Sequence, residues 1–365
     1  MTQPGSPTPP QRRDYAALAL RIKAWGRELG FQQVGIADTD LEIAERRLTD
    51  WLQAGLHGEM GYMARYGTKR SRPAELLPGT RRIISVRMDY LPESRDHLQA
   101  LLADPAVAFI SRYTLGRDYH KLLRRRLQHL AGRIRNEIGS FQHRVLVDSA
   151  PALEKPLAEK AGLGWIGKHT NLVDSKAGSW FFLGEIYTDL PLPPDTPTRD
   201  HCGTCHACMD VCPTKAIVAP YVLDARLCVS YLTIEFRGTI PVALRPLIGN
   251  RIYGCDDCQL VCPWNRFARL STEPDFEPRQ RLDHASLLQL FSWSETEFLK
   301  RTEGSAIRRI GHEAWLRNLA VALGNGPFSD TLVAALRRRL EHQSLLVREH
   351  VAWAIERQTR SKCSR

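Results

Sequence analysis

The run Cys202-Gly203-Thr204-Cys205-His206-Ala207-Cys208-Met209-Asp210-Val211-Cys212-Pro213, read with Cys255-Asp256-Asp257-Cys258-Gln259-Leu260-Val261-Cys262-Pro263, decides the architecture of the middle of this chain. The first run has the C-x2-C-x2-C-x3-C-P spacing of bacterial two-cluster ferredoxins, whose fourth cysteine ligates the other cluster. Cys228 stands between the runs, so eight of the nine cysteines fall between 202 and 262. Three thiolates on one tight loop can cap three irons of a cubane. The fourth iron must be reached from elsewhere, and the x3-Cys-Pro step reaches it. On this reading Cys202, Cys205, Cys208 and Cys262 hold one 4Fe-4S cluster, and Cys212, Cys228, Cys255 and Cys258 hold the other. Four-cysteine zinc sites also use paired short spacings, but not two interleaved sets each ending in Cys-Pro. Disulfides fit poorly in a chain whose first residues carry no export signal. Cys363 reads as an unligated surface thiol.

Two complete clusters pass electrons one at a time and leave no iron open to a substrate. The module therefore implies a redox partner or a second cofactor elsewhere in the chain. Working outward from it, residues 190–199 hold four prolines in ten and mark a boundary. Before that boundary, 15–29 has apolar residues at helical spacing and 31–36 reads as a strand. Further strands are expected at 82–90, 144–147 and 180–186, which makes 14–195 an α/β domain. Asp148 follows a hydrophobic strand. In an α/β domain that position suits a catalytic carboxylate at the ligand crevice, or equally a helix N-cap or a loop ion pair. Gly162, Gly164 and Gly167 allow close approach of backbone to a large ligand, with Trp165 as a flat face, or else serve packing. They do not form a dinucleotide fingerprint, because they follow a helical segment instead of opening one after a strand.

At 365 residues, with 43% hydrophobic and 25% charged residues, the chain has the composition of two or three globular domains. It lacks any run of about 18 apolar residues, so no membrane is expected. Residues 1–13 read as a disordered tail and 196–272 as the cluster module. From 280 to 360 the pattern is helical, and 315–323 echoes 346–355, as two HEAT-like repeats or as ordinary amphipathic helices. The net charge of +11 is uneven, with twelve Lys or Arg against six Asp or Glu from 301 onward. That patch, and a second between Arg112 and Arg135, suits either an anionic partner or a solvated surface.

Further motifs carry a resemblance. Gly58-Glu59-Met60, Ser111-Arg112-Tyr113, Gly116-Arg117-Asp118-Tyr119-His120, Asp148-Ser149-Ala150-Pro151 and Ala161-Gly162-Leu163-Gly164-Trp165 join the cysteine pattern, Gly254-Cys255-Asp256-Asp257-Cys258-Gln259 and Glu303-Gly304-Ser305-Ala306-Ile307-Arg308-Arg309. Over nearly its whole length the chain resembles the epoxyqueuosine reductases, cobalamin-dependent enzymes of the last step of queuosine synthesis in tRNA. The resemblance implies an α+β multidomain protein: an N-terminal corrinoid-binding domain, a ferredoxin-like double-cluster module and a C-terminal helical domain that grips tRNA. It implies removal of the epoxide oxygen of epoxyqueuosine at the wobble position, giving an alkene and water. Electrons would come from an unidentified donor through the clusters to cobalamin, with Asp148 as proton donor. Such an acid needs a raised pKa, which a dry site beneath a corrin could give. Corrinoid contacts would include Arg72, Asp148, Gly164, Ser230 and Asp256, and tRNA contacts Arg308, Arg309 and Arg317. A cytoplasmic monomer is expected. A reductive dehalogenase would also pair a corrinoid with two clusters, but has no use for a basic helical domain.

Overall fold

The structure, a computed structural model, describes residues 13–363. The expected tail, apart from Arg13, and the Cys363 side chain lie outside what it describes. Asp14 opens helix α1 (Tyr15–Glu28) by accepting the backbone N–H groups of Ala16 and Ala17 at 3.0 and 2.9 Å. The helix buries Leu18, Ala19 and Ile22 and leads into strand β1 (Gln33–Ala37). With β2 (Arg82–Asp89), β4 (His143–Leu146) and β5 (Phe181–Thr188) this strand forms a sheet of order β1-β2-β5-β4. Every pairing is antiparallel. Asp148 stands, as expected, just beyond the end of a strand, on a turn that follows the antiparallel edge strand β4.

The strands alternate, and each face is covered differently. One face presents Ile36, Ile84, Val86 and Ile186 to α1 and to α2 (Tyr119–Ile138). Along α2, Leu122, Leu123, Leu127, Leu130 and Ile134 point inward while Lys121, Arg124 and Arg125 are exposed. Much of the basic run between 112 and 135 is thus the solvent face of an amphipathic helix, with Arg126 paired to Glu273 and Arg133 to Glu28. The other sheet face presents Ile83 and Tyr187 to helix α3 (Glu154–Lys160).

The three expected divisions of the chain share cores. Strand β3 (Phe109–Ile110) pairs in parallel with β6 (Arg251–Tyr253), whose sequence belongs to the cluster module. Ala108 and Ile110 then pack with Ile252, Leu290, Trp315 and Leu319 of the C-terminal helices. The proline-rich segment is strapped to β1, with Asp195 N–H on the Ile36 carbonyl and Ile36 N–H on the Asp195 carboxylate, both 2.8 Å. The echoing segments lie on α4 (Gly311–Asn325) and α6 (Leu345–Cys363), with α5 (Asp330–Arg337) between them in sequence. The two echoing helices meet closely at Gly324, where a Cβ would lie 2.6 Å from the Trp353 ring. Among the described residues no helix is long and apolar enough to cross a membrane.

Candidate functional site

The module folds so that cysteines distant in sequence share one space. Cys212, Cys228, Cys255 and Cys258 line a single cavity of about 200 Å3 with Lys155, Ser230 and Pro213. Cys208 is buried, and burial followed by the neighbouring Cys262, Cys202 and Cys205 pushes its thiol up to about 11. One spatial group thus takes three thiols from the first run and Cys262 from the second, and the other takes Cys255 and Cys258 from the second run, Cys212 from the first and Cys228 from between them. The donor chemistry suits iron-sulfur clusters on two further grounds. One is the number of thiols gathered, since the four that line the Cys212 cavity stand beside a second group of Cys202, Cys205, Cys208 and Cys262, as two clusters require. The other is that burial raises the Cys202 thiol, and the buried Trp165 indole N–H, free of any other partner, lies beside it and works the opposite way.

A second cavity, about 240 Å3, adjoins the Cys212 cavity and shares Lys155, Asn171, Ser230 and Cys255 with it. Its walls add the aromatic faces of Tyr113 and Phe181 and the polar groups of Ser111 and Gln259. Asp256, 1% exposed, accepts from Ser111 Oγ at 2.6 Å and Arg112 N–H at 2.9 Å. Burial holds its carboxyl above the ordinary value in spite of those bonds.

A third crevice, about 370 Å3, carries Asp148 and His120 at its base, with Tyr62, Arg65, Tyr66, Arg70 and Arg309 around it. Asp148 has φ 46°, a left-handed conformation uncommon outside glycine. Its Oδ2 accepts from Tyr119 Oη at 2.5 Å and lies 3.0 Å from His120 Nε2. The other ring nitrogen, Nδ1, is 2.7 Å from Asp118 Oδ1. Burial alone would raise Asp148, but the bonds from His120 and Tyr119 outweigh it and hold the carboxyl below its usual value. Burial works against a charged imidazole too, yet Asp118 and Asp148 carry His120 up to about 9. In the protein alone the carboxyl is therefore held low and the ring high, so the proton of this pair is drawn to His120.

Residues 70–149 match the family model described as "Epoxyqueuosine reductase QueG, DUF1730", and residues 201–265 match a 4Fe-4S double cluster binding domain. The epoxyqueuosine reductase of Pseudomonas aeruginosa is 63% identical over 94% of this chain and 95% of its own. The chain belongs to the epoxyqueuosine reductase family. It is an oxidoreductase. A crystal structure of epoxyqueuosine reductase with an epoxyqueuosine-modified tRNA-Tyr stem loop is 28% identical, covering 94% of this chain and 90% of that one, with TM-score 0.84. A Bacillus subtilis epoxyqueuosine reductase with its catalytic aspartate loop swung out of the active site is likewise 28% identical over 94% and 90%, with TM-score 0.83.

Within this epoxyqueuosine reductase fold, several sequence expectations move. Arg72 is exposed and held by Glu45 at 2.8 and 3.0 Å, on the wall of a separate cavity with Thr39 and Pro73, so it does not line the Ser230–Asp256 space. Gly164 answers to the chain itself: with φ 153° its Cβ would lie 2.3 Å from the Val173 carbonyl. Trp165 is fully buried and edge-on to Trp264, which leaves no free face for a ligand. Arg317 is fully buried and donates to the carbonyls of Leu232, Phe236 and Gly238 at 2.7 to 2.9 Å, so it cannot meet a polyanion. Arg308 and Arg309 are exposed, and Arg309 reaches the Asp148 crevice, tied to Glu235 at 2.9 Å. His120, Tyr119 and Lys155 were missed as site residues. An Asp118-Tyr119-His120 triplet opening a helix is a signal for the first two; nothing in the sequence around Lys155 singles it out.

Proposed function

We propose that this chain reduces epoxyqueuosine to queuosine at the tRNA wobble position, with cobalamin in the cavities between Asp148 and Ser230 and with the two clusters held as the cysteine runs assign them. The observation that carries this is the linkage of three spaces: the cavity ringed by Cys212, Cys228, Cys255 and Cys258 shares Ser230 and Lys155 with the Asp256 cavity, whose Tyr113 ring meets Tyr119, the residue bonded to Asp148 in the basic, aromatic-rimmed crevice. When bound, the corrinoid supplies a cobalt centre that reacts as a strong nucleophile in its lowest oxidation state, and the clusters supply single electrons. Ser230, Asp256, Tyr113 and Phe181 would hold it. Overall both epoxide C–O bonds break, a C=C bond forms, and two electrons and two protons leave the oxygen as water.

The chain's part is binding and proton handling. His120 holds a proton at Nε2, 3.0 Å from Asp148 Oδ2, and Asp148 faces the crevice where a departing oxygen would lie. Transfer through the Asp148 carboxyl places an acid at that oxygen without a carboxylic acid having to survive at neutral pH. Tyr119 donates to the same oxygen, Oδ2, and fixes the carboxylate there. Tyr62 and Tyr66 are about two-fifths exposed at the rim, among arginines, which is the chemistry that stacks bases and meets phosphates of a single-stranded loop. Protein loaded with cobalamin and both clusters, given reductant and epoxyqueuosine-containing tRNA, is expected to yield a nucleoside lighter by one oxygen on mass analysis. An unchanged nucleoside would overturn the proposal.

The two kinds of basic residue at the start of the helical tail should separate cleanly. Replacing Arg317 by Ala strands at least three backbone carbonyls, so unfolding in urea is expected to show a loss of ~2–4 kcal/mol. Replacing Arg308 and Arg309 together should leave the fold alone, weaken tRNA binding and flatten its salt dependence, since each lost phosphate contact removes roughly 0.7–0.9 from the slope. An unchanged salt slope would return these two arginines to the solvated surface.

A further inference from the structure

Behind the Asp148 turn the structure buries a charge it does not pair. Glu185 lies in the middle of β5, in register with Ser85 of β2 and Leu146 of β4, on the sheet face covered by α3. It is fully buried, and neither carboxyl oxygen meets a hydrogen-bond donor; the neighbouring Ser85 hydroxyl is likewise unpartnered. Desolvating a bare carboxylate costs several kcal/mol, so a group in this position keeps its proton. The neighbour that can share it is Glu154, the first residue of α3. Two carboxylates cannot bond to each other, but a carboxyl and a carboxylate can. Glu154 in turn accepts the backbone N–H of Asp148 at 2.5 Å, which holds the residue in its left-handed conformation.

We propose that Glu154 and Glu185 are positioning residues for the acid: one proton shared between their carboxyls keeps Glu154 seated as acceptor for the Asp148 backbone, and so keeps the Asp148 turn facing the crevice. Without that proton, three carboxylates crowd one spot on a turn that already holds a non-glycine residue at positive φ. The surrounding groups do not relieve it. His120 and Tyr119 are bound to Asp148, Lys155 to the Thr170 carbonyl and Asn171, and Arg70 to the Tyr62 carbonyl, while the Tyr187 hydroxyl has no partner. Burial, then the Asp148 charge, carries Glu154 up to about 7, and burial followed by Glu154 carries Glu185 well above its ordinary value.

This inference rests on reading Asp148 as the acid, and the test separates the two. In Glu185→Gln the amide N–H replaces the shared proton and cannot titrate. The pair gives up one proton as pH rises through about 7, and Glu185, held well above its ordinary value, keeps the shared one, so the parent and Glu185→Gln should both hold their rate until His120 discharges near 9. In Glu185→Leu nothing donates to Glu154, and kcat is expected to fall on the order of tenfold or more at neutral pH, a loss that the Gln variant does not share. Glu154→Gln, whose amide can both accept from Asp148 and donate to Glu185, should likewise keep its rate if Glu185→Gln fails to fold. Infrared spectra of the protein before turnover should show a protonated carboxyl at neutral pH that either Gln variant removes. A Glu185→Leu rate equal to that of Glu185→Gln would overturn the positioning role, and absence of that carboxyl band in the parent would overturn the shared proton. Full activity of Asp148→Asn would instead remove the acid, and the latch with it as a catalytic device, while leaving the band in place.

Discussion

Asp148→Asn is expected to bind epoxyqueuosine-containing tRNA as the parent does and to turn over about 10²–10⁴-fold more slowly, the usual contribution of a positioned general acid. The amide preserves the shape of the turn and can still accept from Tyr119, so neither the crevice nor KM should change much. What it removes is the negative charge 3.0 Å from His120 Nε2, one of the two carboxylates that carry that ring up to about 9. The sign follows directly. A raised imidazole is protonated below its pKa, so the parent holds this proton throughout the neutral range. The variant, left with Asp118 alone, should lose it at lower pH, and NMR titration of the His120 ring in the unloaded protein reads this without any turnover. Because His120 and Asp148 act as one unit, the double variant Asp148→Asn, His120→Gln should lose little more than the worse single variant. A rate within a few-fold of the parent, or losses that simply add, would take the pair out of the mechanism.

How much of this was legible in the sequence depended on the range over which each feature is fixed. The cysteine runs are local, and a thiolate's reach to a cubane is set by a few residues of loop, so spacing alone grouped Cys208 with Cys262 before any coordinates did. The helix at 15–28 announces itself by 3.6-residue periodicity, whereas the one at 119–138 was read only as a patch of basic charge. Strand direction is another matter: β2, β4 and β5 each read as strands, but nothing local tells which way they run, and the antiparallel order comes only from the fold. Arg317 shows the same limit. Its helix is almost wholly buried, Ala314 through Gly324, and an arginine there looks basic in sequence while the fold spends it on three carbonyls contributed by residues 232–238. Glu185 is the opposite case. A glutamate in Phe181–Thr188 reads as a solvent-facing strand position, and only the helix laid across that face makes it a buried acid.

Cys262→Ala should bring the iron of anaerobically purified protein from about eight to about four per chain. The surviving cluster should be the one remote from Cys205. Sequence proximity argues the reverse, because Cys262 lies one helical turn beyond Cys258 and shares its loop. The fold overrides this. The α-helix Asp257–Leu260 ends at Leu260, and the chain turns so that the buried Cys262 thiol is raised by burial and, among its charged neighbours, by Cys202 and Cys205, while Cys258 faces Cys228 across the Lys155 cavity. Removing Cys262 therefore leaves Cys202, Cys205 and Cys208 with three thiols for four irons, and all four ligands of the other set untouched. Cys205 is exposed whereas Cys258 borders the cavity shared with Ser230, so the damaged set is the one nearer an external donor. Turnover driven by a protein electron donor should then collapse even though the set beside the crevice is whole. Electron paramagnetic resonance of the reduced variant decides the assignment: loss of the Cys212 set with the Cys205 set retained would reverse it.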